Sequence, residues 1–278
     1  RAKAFFFIQK PFDREVLLTL VERCVELRRL SAENRRHVSR LEHELAAARA
    51  FQQSLLPAET GRVGGLSLAV RYIPSAELGG DFYDYAAAGP TEATLLIADA
   101  AGHGVSAAML TGVVKAAFDA SRVDRYEPRA IVRRIAEGLR GFEYQRFVTA
   151  ACLRIDSTRG VLEYVNAGHP AGAVWSASRG LVRLESTGTL ICSAFPDAAW
   201  DQATMAVSAG THVLLFTDGI SERPASGEMF GEQRIVDECL RRPDGGAALL
   251  DAILEAVTRF SAGCAATDDQ TLLTARVG

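Results

Sequence analysis

Two hydrophobic rhythms share this chain. Between residues 13 and 50, the positions Leu17, Leu20, Cys24, Leu27, Ser31, Asn34, Val38, Leu41, Leu45 and Ala48 follow one another at alternating steps of three and four. Seven of these ten are apolar, and Arg, Glu and His are frequent between them. A 3.5-residue period held over more than four heptads predicts a coiled-coil helix over 14–50. The charged flanks leave no wide apolar face of the kind a helix needs to lie on its own domain. Residues 17–48 are therefore expected to pair with a second copy as a parallel homodimer. Asn34 falls on that seam, where an Asn fixes register at some cost in stability. The Arg-rich run from Arg28 to Arg40 reads as the solvated face of the helix.

From Leu66 the rhythm changes. Apolar, β-rich runs occur at 66–73, 93–100, 148–156, 161–167, 172–177, 211–218 and 271–277, and helical patterns at 105–120, 129–140, 232–241 and 247–261. Strands mostly follow strands, and helices come in pairs. This order predicts an α+β domain of stacked antiparallel sheets with helices outside, rather than alternating βαβ units.

Composition narrows the function classes. The 278 residues carry a formal net charge of −3 and 48% hydrophobic residues, an ordinary globular balance that argues against a dedicated nucleic-acid binder. Cysteines 24, 152, 192, 239 and 264 form no CxxC pair, which fits a reducing cytoplasm. No apolar run approaches the ~20 residues of a membrane span. The opening AKAFFFIQKPF is broken too soon by Pro11 to be a signal peptide. The chain starts at Arg1 rather than Met, so a segment upstream is expected.

The candidate chemistry lies in acids at the ends of strands. Asp99 closes ATLLIAD, Asp218 closes THVLLFTD, and Asp268-Asp269 opens the last strand. Asp81 follows Gly79-Gly80 just after the strand 66–73. A buried carboxylate is costly unless it is paired or binds a metal. Four that converged at one sheet edge would repel without a cation. An oxygen-only ligand set points to Mg²⁺ or Mn²⁺ rather than Zn²⁺. Singly, each Asp also reads as a turn or cap residue. Glycines beside three of them shift the weight, because Gly lets carbonyls and waters approach closely.

GGDFYD, ADAAGHGVSAAM, NAGHP, TDGISE and DDQTLL, in this order, resemble the motifs of PPM-type (protein phosphatase 2C-like) metal-dependent serine/threonine phosphatases, closest to their SpoIIE/RsbU branch. FQQSLLP (51–57) is similar to the segment opening that branch's catalytic domain, so the phosphatase domain is expected over 51–278. The resemblance implies a two-layer β-sandwich flanked by helices, with two divalent cations at one end. By its motifs, Asp81 and Asp99 match the acids bridging both metals, the Ala100 carbonyl matches a ligand, and Asp218 and Asp268 match the remaining metal acids. Asp269 is the lesser candidate of its pair, since the matched ligand stands three before Thr271. The implied chemistry is in-line attack on phosphorus by a metal-activated water, with no covalent enzyme intermediate. Ala101 stands where eukaryotic relatives offer a histidine. His103 and His169 are read as supporting residues, Asp84 and Glu222 as local hydrogen-bonding residues, and the helix opening near Val105 as aimed at the site. The chain departs from the branch at 188–198, GTLICSAFPDA, which lacks a Pro-Leu-Gly turn.

AFFFIQKPF followed by an acidic helix start is similar to the end of a response-regulator receiver domain, with Lys10 matching its switch lysine. On that likeness, residues 1–30 are a receiver remnant whose last helix runs into the coiled coil. The receiver and its histidine kinase or phosphotransfer protein would be partners. Two functions follow. One is a phosphatase acting on a regulatory protein, an anti-sigma-factor antagonist or sigma-factor regulator, under receiver control through the coiled coil. The other is an RssB-like adaptor that uses the same fold with little or no catalysis. An adaptor need not keep metal ligands, and all four acids are present here. A purely structural scaffold is disfavoured on the same ground.

Overall fold

The computed structural model describes residues 10–11, 13–102, 104–143, 145–225, 227–264 and 266–278. In chain order, the elements are α1 (Arg14–Leu55), β1 (Thr60–Val63), β2 (Leu66–Ile73), β3 (Asp81–Ala87), β4 (Glu92–Ala100), α2 (Val105–Ala120), α3 (Pro128–Gly138), β5 (Phe147–Asp156), β6 (Val161–Ala167), β7 (Gly172–Trp175), β8 (Val182–Leu184), β9 (Ile191–Cys192), β10 (Ala203–Ala206), β11 (His212–Phe216), α4 (Asp218–Ser221), β12 (Pro224–Ala225), β13 (Glu228–Met229), α5 (Glu232–Arg241), α6 (Gly246–Phe260) and β14 (Gln270–Val277). The strand expected before Lys10 falls on residues 1–9, outside those described. No described helix is long and apolar enough to cross a membrane.

Residues 1–50 and 51–278 are separate units. In the first, Asp13 caps α1: its Oδ1 accepts from the Glu15 amide at 2.7 Å and its carbonyl accepts from the Leu17 amide. Arg29–Glu26 and Arg40–Glu44 form exposed ion pairs at helical spacing. Gln52, near the helix end, is the one buried residue of α1. Val16, Leu18, Val21, Val25, Leu27, Leu30, Val38 and Leu41 are exposed.

The second unit stacks two antiparallel sheets. One runs β1-β2-β14-β11-β7-β8 and the other β10-β6-β5-β4-β3, with β9 added beside β5. Side chains alternate across each strand, so Leu95 and Ile97 of β4 enter the core between the sheets with Val70, Leu215 and Leu273. Leu96 and Ala98 face the opposite way, onto Leu110, Val114 and Phe118 of α2 and Ile131 and Ile135 of α3. The outer face of the first sheet is covered by α5 and α6 through Ile235, Leu249, Leu250 and Ile253. β4 is therefore buried on both faces, which is why it reads as an unbroken apolar run. The expected α+β sandwich with helices outside is the observed architecture.

The departing segment 188–198 is anchored. Ile191 and Cys192 pair with Val148 and Phe147, and Trp200 Nε1 donates to the Thr189 carbonyl at 2.7 Å. No two of the five cysteines form a disulfide, and Cys152 and Cys239 are buried.

Candidate metal centre

Strand register brings the first two acids together. In the β3–β4 pairing Asp81 stands directly opposite Asp99, and in the β4–β5 pairing Asp99 stands opposite Thr149. Asp81 thus opens a strand, an element not expected at GGDFYD. Its Oδ2 is held from the other sheet. The Thr217 hydroxyl, just past β11, donates at 2.7 Å, and the Thr271 hydroxyl of β14 donates at 2.6 Å. The Thr271 amide in turn donates to Thr217 Oγ1 at 3.0 Å. This knot ties the two sheets at one end and leaves Asp81 Oδ1 for another partner.

Asp218 and Asp268 belong to the same end. Asp218 opens α4 directly after Thr217, and Gly219 passes so close to β14's approach that a Cβ there would lie 1.9 Å from the Asp269 carbonyl oxygen. Only glycine fits. Gln270 Nε2 donates to the Gly219 carbonyl at 3.2 Å. Asp268 Oδ1 accepts from the Asp269 amide at 2.8 Å.

Asp269 has a different use. Its Oδ1 accepts from the Ser75 amide at 2.7 Å and the Ser75 hydroxyl at 3.0 Å. Its Oδ2 accepts from the Gly80 amide at 2.5 Å and, more weakly, from the Asp81 amide at 3.4 Å. It therefore fixes the loop that delivers Asp81. Neither Gly in that loop could carry a side chain. A Cβ on Gly79 would stand 2.2 Å from the Tyr72 hydroxyl, and one on Gly80 would stand 2.7 Å from the Ala100 carbonyl oxygen. The Ala100 amide donates to the Gly80 carbonyl at 3.1 Å.

The electrostatics show what these acids lack. Burial, then the charge of Asp99, holds the Asp81 carboxyl well above the ordinary range. Burial followed by Asp218, Asp268 and Asp269 pushes Asp99 up to about 7. Burial followed by Asp268 and Glu222 pushes Asp218 up to about 6. Such mutual repulsion in a low-dielectric site is relieved by a cation. Among the described residues no three His, Cys, Asp or Glu side chains close into a metal cage as they stand. Hard cations do not need one: Mg²⁺ keeps several waters and takes only one or two carboxylates. The donor set is all oxygen, anionic and mutually repelling, and it fits divalent Mg²⁺ or Mn²⁺.

The supporting residues have plain structural roles. His169 is buried, with Nδ1 2.8 Å from Thr149 Oγ1, and burial pulls it down to about 3, so the ring is neutral. Asn166 accepts from the His169 amide at 2.8 Å and donates to the carbonyls of His169 and Leu184. The buried Asp84 pairs with Lys115 at 2.9 Å. The Glu222 amide donates to the Asp218 carbonyl. His103 lies outside the described residues. Gln52 meets the same loop, its Nε2 donating to the Gly79 carbonyl at 2.7 Å and its Oε1 accepting from the Gly79 amide at 3.2 Å. These contacts of Thr217, Thr271, Asp269 and Gln52 were not read from the sequence. The only local signals were a Thr directly before Asp218 and a second Asp after Asp268.

The family described as Stage II sporulation protein E (SpoIIE) matches residues 89–278. Phosphoserine phosphatase RsbP of Bacillus subtilis (strain 168) is 29% identical over 164 residues, covering 57% of this chain and 40% of that protein. Phosphoserine phosphatase RsbU of the same strain is 24% identical over 186 residues, covering 66% of this chain and 54% of that protein. The chain thus spans about half or less of these relatives' length. The SiaA-PP2C domain of Pseudomonas aeruginosa shares the fold with a TM-score of 0.74 at 22% identity, over 86% of this chain and 98% of that one.

Proposed function

The chain belongs to the SpoIIE family, and from that premise we propose that it is a metal-dependent protein serine/threonine phosphatase. Asp81, Asp99, Asp218 and Asp268, with the Ala100 carbonyl, would hold two divalent cations, Mn²⁺ or Mg²⁺. When bound, such ions supply an acidified water for in-line attack and neutralise charge on the phosphoryl oxygens. The protein's own part is positional. Thr217 and Thr271 orient the Asp81 carboxylate, Asp269 fixes the Gly79–Gly80 approach, and the β3–β4 register holds Asp81 against Asp99. The observation that carries the reading is that acids from distant strands converge: Asp81 stands opposite Asp99, Thr217 beside Asp218 bonds Asp81, and burial followed by Asp218 and Asp268 raises Asp99. An adaptor has no use for such acids, whose burial costs stability. The substrate is a phosphoserine or phosphothreonine on a regulatory protein, an anti-sigma-factor antagonist.

Two further parts of the reading concern residues 1–50. The exposed apolar positions of α1 support pairing with a second copy through 17–48, since a long isolated helix in water draws its stability from packing. Leu18, Val21 and Val25 form a second exposed stripe beside that seam. A receiver domain upstream, of which residues 1–30 are the end, would cover it and place the phosphatase under response-regulator control in the cytoplasm.

The test is hydrolysis of a phosphoserine peptide. Phosphate release with Mn²⁺ or Mg²⁺, abolished by EDTA and by Asp218→Ala, is expected. A folded, Mn²⁺-loaded protein that releases none, even joined to a phosphorylated receiver, would overturn the proposal.

A further inference from the structure

Two divalent cations would balance Asp81, Asp99, Asp218 and Asp268 and leave no surplus positive charge, and Asp269 adds another acid beside them. A phosphate monoester carries close to two negative charges at neutral pH. Drawing it to such a centre calls for a protein cation that is not already spent on the acids. The groups favouring ionised Asp81 are the Thr217 and Thr271 hydroxyls, and no described cation acts on Asp99 or Asp218.

Strand register brings one cation to this end of the sheet. In the β4–β5 ladder Asp99 stands opposite Thr149 and Ala100 opposite Val148. The ladder runs one step further, with the Ala101 amide donating to the Phe147 carbonyl at 2.9 Å. The next residue on the β5 side is Arg146, which therefore arrives beside Gly102. A Cβ on Gly102 would lie 3.8 Å from Arg146 Nη1 and, among the described residues, would meet no other atom within 4 Å. The Gly102 carbonyl in turn packs on the loop that delivers Asp81, since a Cβ on Gly80 would lie 3.3 Å from it. One glycine thus separates the guanidinium from that loop.

Arg146 is half-buried, and its one side-chain partner among the described residues is neutral: Nη1 donates to the Ser106 hydroxyl of α2 at 3.0 Å. The first turn of α2 carries no acid to compete for it. A guanidinium offers a planar fork of donors that matches phosphate oxygens. Most of this fork is free, close to acids yet bonded to none of them.

We propose that Arg146 is a phosphoryl-binding residue, donating to a non-bridging oxygen of the substrate's phosphoserine or phosphothreonine. This rests on the phosphatase reading and adds the protein group that recognises the anion, with Ser106 holding one edge of the guanidinium. The same contact holds inorganic phosphate, the product.

The test uses the 278-residue chain with Arg146→Gln, Arg146→Lys and Ser106→Ala, each checked for folding by circular dichroism. Isothermal titration calorimetry reads Mg²⁺ affinity and then inorganic phosphate affinity at saturating Mg²⁺. Losing a hydrogen bond between charged groups weakens binding roughly 10- to 100-fold. That loss of phosphate affinity is expected in Arg146→Gln, with KM for a phosphoserine peptide rising alongside and Mg²⁺ affinity unchanged. Arg146→Lys, which keeps the charge without the fork, should fall between Arg146→Gln and wild type. Ser106→Ala should stay closer to wild type than Arg146→Gln does. Wild-type phosphate affinity in Arg146→Gln would overturn the inference alone. So would an equal loss in Ser106→Ala, which would make Arg146 a brace for α2, or a matching loss of Mg²⁺ affinity in Arg146→Gln. A wild-type chain that takes up Mg²⁺ but no phosphate would overturn it too, and one that takes up no Mg²⁺ would overturn it together with the phosphatase reading.

Discussion

The knot around Asp81 makes an asymmetric prediction about two threonines that look equivalent. Both hydroxyls donate to the same oxygen, at 2.7 and 2.6 Å. Replacing Thr271 by Val removes one hydrogen bond to Asp81 and leaves every other group paired. With Asp81 ionised, that costs about 1.5–3 kcal/mol. Replacing Thr217 by Val removes an equivalent bond and also the acceptor of the buried Thr271 amide. An orphaned buried N–H adds about 1–3 kcal/mol. Thr217→Val is thus the more damaging change by that increment. The assay is urea unfolding at saturating Mn²⁺, followed by tryptophan fluorescence. Trp175 and Trp200, the chain's two tryptophans, both lie within 51–278, so the signal reports this unit. The difference should appear in the midpoint at constant m-value. Equal destabilisation by the two variants, or the larger effect at Thr271, would refute the reasoning.

Other consequences follow from the same geometry. In the metal-free fold Asp99 rises to about 7, against an ordinary 3.8, because of burial and the neighbouring acids, so folding retains a proton the unfolded chain has released. Stability from this group is present at low pH and lost as pH rises through about 7. In EDTA, Asp99→Asn should therefore be more stable than wild type at pH 8, with the gap closing at pH 5; urea midpoints at both pH values check this, and a pH-independent gap would contradict it. Gly80→Ala places a Cβ 2.7 Å from the Ala100 oxygen, so Mn²⁺ binding measured by calorimetry should be lost while far-UV circular dichroism is kept. Val38→Lys with Leu41→Lys puts charge on the α1 seam and should convert a dimer to a monomer in analytical ultracentrifugation; an unchanged mass would argue against pairing through 17–48.

Long elements were legible because burial writes its period into them. Strands β2, β4, β5, β6, β11 and β14 and helices α2, α3, α5 and α6 stand close to where apolar spacing placed them. β3 escaped because it begins with Gly-Gly-Asp and carries Phe82, Tyr83 and Asp84, all buried, so no alternation marks it. The short strands β1, β8, β9, β10, β12 and β13, of two to four residues, are too brief to show a period. Within the site, the acids were visible because a carboxylate ending an apolar strand is anomalous. Thr217, Thr271, Asp269 and Gln52 were not, since each acts on a partner 27 to 190 residues away through a hydrogen bond. Thr217 is marked locally only by its place before Asp218, and nothing local separates Thr271 from any other strand Thr.

The central claim is that these scattered acids hold two metal ions. Crystals soaked in Mn²⁺ and measured at the manganese absorption edge test it most directly. The account predicts two anomalous peaks roughly 3.5–4 Å apart, bound by Asp81, Asp99, Asp218, Asp268 and the Ala100 carbonyl, with Asp269 still bonded to Ser75 and Gly80. An absence of peaks among these acids, or a single ion held by Asp269, would contradict it.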